Sequence, residues 1–152
     1  MLSNGGGPDS KGLLMMPGMA APLDGPVAMS IPFSPQSAAH VRDALESWLG
    51  HRGSAPHVVD DARLIATELV GNAVRHASPL GNGTVLVRWE ADDSTLALSV
   101  CDGGGASRPE QVSAAPDDLG GRGLAIVDAL SSKWWVEHTS QLHTVHVCLA
   151  LD

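Results

Sequence analysis

A chain of 152 residues is the size of one ordinary domain, long enough to bury a core without disulfide or metal staples. A formal charge of −8 with only nine Lys and Arg argues against a phosphate-binding footprint, so direct nucleic-acid binding is not expected. The only two cysteines, Cys101 and Cys148, lie far apart in alternating apolar segments, and buried reduced thiols in a cytosolic protein are expected in place of a disulfide or redox pair.

In chain order, residues 1 to about 25 are rich in Gly, Pro, Ser and Met and show no periodicity. Such a composition cannot bury enough surface to offset the entropy of ordering, which predicts a flexible tail before a domain spanning 26–152. The apolar residues from Leu13 to Met19 are broken by Pro17 and Gly18 and lack a basic flank. They resemble neither a signal peptide nor a membrane span, and a cytoplasmic protein away from membranes is expected.

A short strand is predicted around Val27–Ile31. Ser34-Pro35 then reads as a helix N-cap followed by proline at the first helical position, opening a helix with Ala38, Val41, Leu45, Trp48 and Leu49 on one stripe. Gly50 and Gly53 should end it. The next helix is predicted from about Pro56 to His76, with Val58, Ala62, Ile65, Leu69 and Ala73 at three- and four-residue spacing. From Thr84 the period becomes two: Val85, Val87 and Trp89, then an Asp92-Asp93 turn, then Leu96, Leu98 and Val100, which is a hairpin.

Residues 102–121 are rich in Gly, Pro and Asp, too long for an ordinary connection and suited to a lid or binding loop. A short helix from about Gly123 to Leu130 and two strands, Lys133–His138 and Thr144–Leu149, close the chain. The order β-α-α-β-β-loop-α-β-β predicts an α+β fold: a two-layer sandwich with a mixed, mostly antiparallel sheet and helices on one face. No internal repeat is visible.

Three motifs carry chemistry. In Glu68-Leu-Val-Gly-Asn72-Ala-Val-Arg-His76, polar residues recur every fourth position beside the apolar stripe, where they need partners or a ligand. In Val100-Cys101-Asp102-Gly103-Gly104-Gly105, a carboxylate ends an apolar strand and can accept from an exocyclic amine, while the glycines let a flat ligand approach the main chain. In Gly120-Gly121-Arg122-Gly123-Leu124, glycines run into a helix whose free amides and dipole suit phosphate. Neither a dinucleotide fingerprint nor a GxxxxGK[ST] loop is present. His138, His143 and His146 have no ligand spacing that would make them a metal set.

Taken in this order, the motifs resemble the N, G1 and G2 boxes of the GHKL (Bergerat-fold) ATP-binding superfamily. The chain looks like the small proteins related to anti-sigma factor serine kinases and the histidine-kinase-like ATPase domain. The resemblance spans roughly Val27 to Leu149 and takes in Arg42 and the closing Thr144-Val-His-Val-Cys-Leu149 strand.

The resemblance implies ATP and Mg2+ as cofactors, with Asn72 as the metal ligand and Glu68 as the general base. It further implies that Asp102 reads the adenine amine with Gly104 beside the ring, and that Gly121, Gly123 and Leu124 form the phosphate cradle. Arg122 reaches a phosphate from a closed lid, Thr144 supports the adenine end, and His76 packs behind the site. Two positions depart from the pattern: Ala106 stands where the G1 box ends in glycine, and His143 precedes Thr144 where glycine is frequent. ATP binding tolerates such changes better than phosphoryl transfer, which needs closely held geometry.

The implied function is an anti-sigma factor serine/threonine kinase that phosphorylates a protein antagonist and competes with it for a sigma factor. The alternative is a nucleotide-dependent binding regulator with little or no kinase activity. Relatives of this type often dimerise, so a homodimer is among the expected assemblies.

Overall fold

The computed structural model describes residues 13–15, 25–105 and 122–152. In chain order the elements are β1 (Leu13–Met15), β2 (Val27–Pro32), α1 (Ser37–His51), α2 (Pro56–His76), β3 (Thr84–Ala91), β4 (Thr95–Asp102), α3 (Arg122–Leu130), β5 (Lys133–Thr139) and β6 (Leu142–Ala150). They build one six-stranded sheet in the order β1-β2-β3-β4-β6-β5. Only β1 pairs in parallel, with β2; the other four pairings are antiparallel. β1 falls within the segment read as a tail, and the rest of residues 1–24 lies outside the described residues.

Period-two burial decides which sheet face the helices cover. Val85, Val87 and Trp89 on β3, Leu96, Leu98 and Val100 on β4, and Val147 and Leu149 on β6 are all buried, and the residues between them are not. From the helix layer they meet Ala38, Val41, Leu45, Trp48 and Leu49 of α1 and Val58, Ala62, Ile65, Leu69 and Ala73 of α2, the two predicted stripes. α3 adds Val127 to this core and is tied to β5 by a 3.0 Å hydrogen bond from Trp134 Nε1 to Asp128 Oδ1. The fold is thus α+β in two layers, with the helices on one face of the sheet.

The start of α1 differs from the sequence reading. The helix begins at Ser37 with Gln36 at its N-cap, and no side chain caps it. Ser34 instead donates its hydroxyl to Gln36 Oε1 and accepts the Ser37 amide on its carbonyl at 3.0 Å, so Ser34–Ser37 forms a tight turn ahead of the helix. At the other end Gly53, at φ +79°, closes a Schellman motif in which its amide reaches Gly50 O and that of Ser54 reaches Leu49 O.

The cysteines also differ. Cys101 and Cys148 are free and half-buried, because both take the strand positions that face away from the helices. No helix among the described residues is long and apolar enough to cross a membrane.

Candidate functional site

Asp102 is the last residue of β4 and continues the inward row Leu96, Leu98, Val100. It is 2 % exposed, an acidic group carried to the end of an apolar face. Burying a carboxylate is costly unless its lone pairs are met. Here Oδ1 accepts the Gly104 amide at 2.7 Å, and Oδ2 lies 3.2 Å from Nδ1 of His143, the register partner of Asp102 on β6.

The glycines after Asp102 have a structural requirement of their own. A Cβ on Gly103 would lie 2.3 Å from Pro79 O, and one on Gly105 would lie 2.7 Å from His76 O. Gly104 has φ +82°, where side chains are disfavoured. The loop is pinned to the segment after α2 by Gly103 N to Ser78 O at 2.8 Å and Ser78 N to Gly104 O at 2.6 Å. The strand end and the carboxyl end of α2 are therefore one assembly, and bare backbone is what allows them to close.

On α2, Glu68 and Asn72 are half-buried at the margin of the core stripe, whereas His76 is exposed. The His76 carbonyl, not its ring, is what approaches Gly105. Asn72 Oδ1 accepts a hydrogen bond from Arg75 Nη2 at 3.1 Å, so a cationic group already attends the oxygen expected to hold a metal. On α1, Arg42 Nη1 reaches Thr67 Oγ1 at 3.3 Å, bracing the helix that carries Glu68.

Arg122 and Gly123 open α3, which packs against α2, and Leu124 is buried at 3 % exposure. Gly121 and the remainder of the lid, 106–121, lie outside the described residues. Thr144 pairs with Cys101 and shares its face of the sheet, the one turned away from the helices and from Asp102. His143 takes the inward place beside Asp102. Counting back by twos from the apolar pair Leu149 and Val147 puts Val145 and His143 on the helix side, a parity signal present in the sequence.

Among the described residues no three His, Cys, Asp or Glu side chains gather as a metal set. The His138 and His143 rings lie 5.0 Å apart, tilted by 46°, on one face, and His146 bonds Glu137 at 2.8 Å on the other.

Comparison with known families matches residues 31–149 to the histidine kinase-like ATPase domain. The chain belongs to that family. The histidine kinase-like ATPase domain thus accounts for every described element except β1, most of β2 and the last residue of β6. It places the protein in the GHKL superfamily and implies ATP as ligand. Among solved structures, the crystal structure of the RsbU and RsbW domains of Rv1364c from Mycobacterium tuberculosis aligns with a TM-score of 0.64 at 22 % identity, over 82 % of this chain. The aligned part is 32 % of that longer chain, and at this identity the likeness speaks for the fold. Comparison with curated proteins gives no match.

Proposed function

We propose that the protein is an ATP- and magnesium-dependent regulator of the anti-sigma factor kinase type, transferring the γ-phosphoryl group of ATP to a serine or threonine of a protein antagonist. The observation that carries the nucleotide reading is Asp102, an acid held at 2 % exposure on an otherwise apolar sheet face. Both of its oxygens are oriented, and each keeps lone-pair capacity for an exocyclic amine.

In this reading Asn72 holds the metal through its neutral carbonyl oxygen, which suits a hard cation that keeps phosphate and water ligands. The metal supplies charge neutralisation on the phosphates. Glu68, half-buried one turn earlier, takes the proton from the attacking hydroxyl. The hydroxyl oxygen then bonds the γ-phosphorus as the bond to the bridging oxygen breaks, and ADP leaves. Amides at the start of α3, with Gly121 and Gly123, cradle the phosphates, and Arg122 answers their charge.

The Arg75–Asn72 hydrogen bond favours a second reading, a nucleotide-dependent binding module with little transfer, since the guanidinium competes for the metal-binding oxygen. Incubating the protein with labelled ATP and candidate antagonist proteins separates the two. Transfer abolished by Glu68→Ala is the expected result. Tight ATP-dependent partner binding with no label transfer would establish the second reading and remove the first.

A further inference from the structure

His143 departs from the glycine expected before Thr144, and it occupies the inward position facing Asp102. An ionised carboxylate can only accept, so the imidazole nitrogen facing it, Nδ1, is the one that carries the proton in the neutral ring. Nε2 is then a bare lone pair. That atom is buried and has no hydrogen-bond partner among the described residues, and the His138 ring lies tilted by 46° to the His143 ring at 5.0 Å between centroids.

With Gly104 N–H on Oδ1 and His143 Nδ1 on Oδ2, the plane of the Asp102 carboxylate is fixed at both ends. Every remaining polar position of the pair is an acceptor: the free lone pairs of the carboxylate and Nε2. Such a set favours a base edge that brings an NH2 group and disfavours one that brings none, because a donor left out strands a buried acceptor.

We propose that His143 is a specificity-determining positioning residue, which locks the Asp102 carboxylate and makes the pair selective for a purine with an exocyclic amine. This rests on the ATP-binding reading above. The group acts through Asp102 and therefore affects discrimination between bases more than the phosphate-dependent part of affinity.

The test measures binding of ATP and of the purine ribonucleoside triphosphate lacking the 6-amino group to wild type, His143→Leu and His143→Asn, with thermal unfolding as a check on folding. Wild type should prefer ATP. His143→Leu should reduce that preference on the order of tenfold by weakening ATP while leaving the amine-free nucleotide little changed. His143→Asn, whose amide N–H can replace Nδ1–H, should restore most of it. Equal losses for both nucleotides in His143→Leu, or no loss, would overturn the proposal while leaving ATP binding standing. Equal binding of the two nucleotides by wild type would overturn the proposal together with the adenine role of Asp102, whereas failure to bind ATP at all would overturn the ATP-binding reading. Independently of nucleotide, the 15N shifts of the His143 ring should report a protonated Nδ1 and bare Nε2; the opposite tautomer would overturn the proposal by itself.

Discussion

Asp102 bears the strongest prediction at the scale of single residues. Asp102→Asn keeps the size of the side chain and an oxygen for the Gly104 amide, but removes the charge and half the acceptor capacity. ATP affinity should fall about ten- to a hundredfold, while the melting temperature moves by only a few degrees. Calorimetry and thermal unfolding on the same samples check this, and unchanged affinity would remove the adenine assignment. A second residue has no part in the site. Asp92 Oδ1 accepts the amides of Ser94 and Thr95 at 2.8 Å each, which lowers its pKa from the usual 3.8. With a depressed folded pKa, the turn's contribution is complete above the ordinary carboxylate value and is lost as pH falls through the lower folded one. An NMR titration of the Asp92 carboxyl carbon should therefore find a midpoint below 3.8, and Asp92→Ala should flatten acid unfolding over that window. Residue type and spacing made Asp102 legible in the sequence. Its partner was not, because Oδ2 is met by a side chain 41 positions away.

Elements decide how the strand end meets α2. Gly103→Ala and Gly105→Ala should each destabilise the fold by about 1–3 kcal/mol, because the added Cβ would meet backbone oxygens that cannot swing aside. Gly81→Ala, where nothing lies within 4 Å, is the control and should be neutral within about 0.5 kcal/mol in urea unfolding. The sequence suggests that the glycines after Asp102 exist to admit a ligand; contact with the backbone at and just beyond the carboxyl end of α2 accounts for Gly103 and Gly105 first. Helix α2 begins and ends where its sequence predicts, since Pro56 at its start and Ser78-Pro79 beyond its end are local signals. The start of α1 lies at Ser37, beyond the position that Ser34-Pro35 predicts, because a serine hydroxyl can serve a turn as readily as a helix amide and only the local geometry chooses.

At the scale of the whole molecule, the two layers meet through α1 and β3, where Trp48 and Trp89 pack edge to face at 6.3 Å and Trp48 Nε1 donates to Gly25 O at 3.0 Å. Trp48→Ala should cost about 3–5 kcal/mol, read from denaturant unfolding, and should unfold helix and sheet signals together. Magnesium tests the site as a unit: its removal should weaken ATP binding in wild type more than in Asn72→Ala, and equal dependence would strike out the metal role of Asn72. From the sequence alone come the elements after β1, their inward faces and the family. Each of these is written in local periodicity or in short motifs. Only the folded chain sets the sheet order, the packing behind the Asp102 glycines and the contact of His143 with Asp102. Those follow from pairings between distant strands, whose register is set by burial across the whole sheet and not by any neighbouring residue.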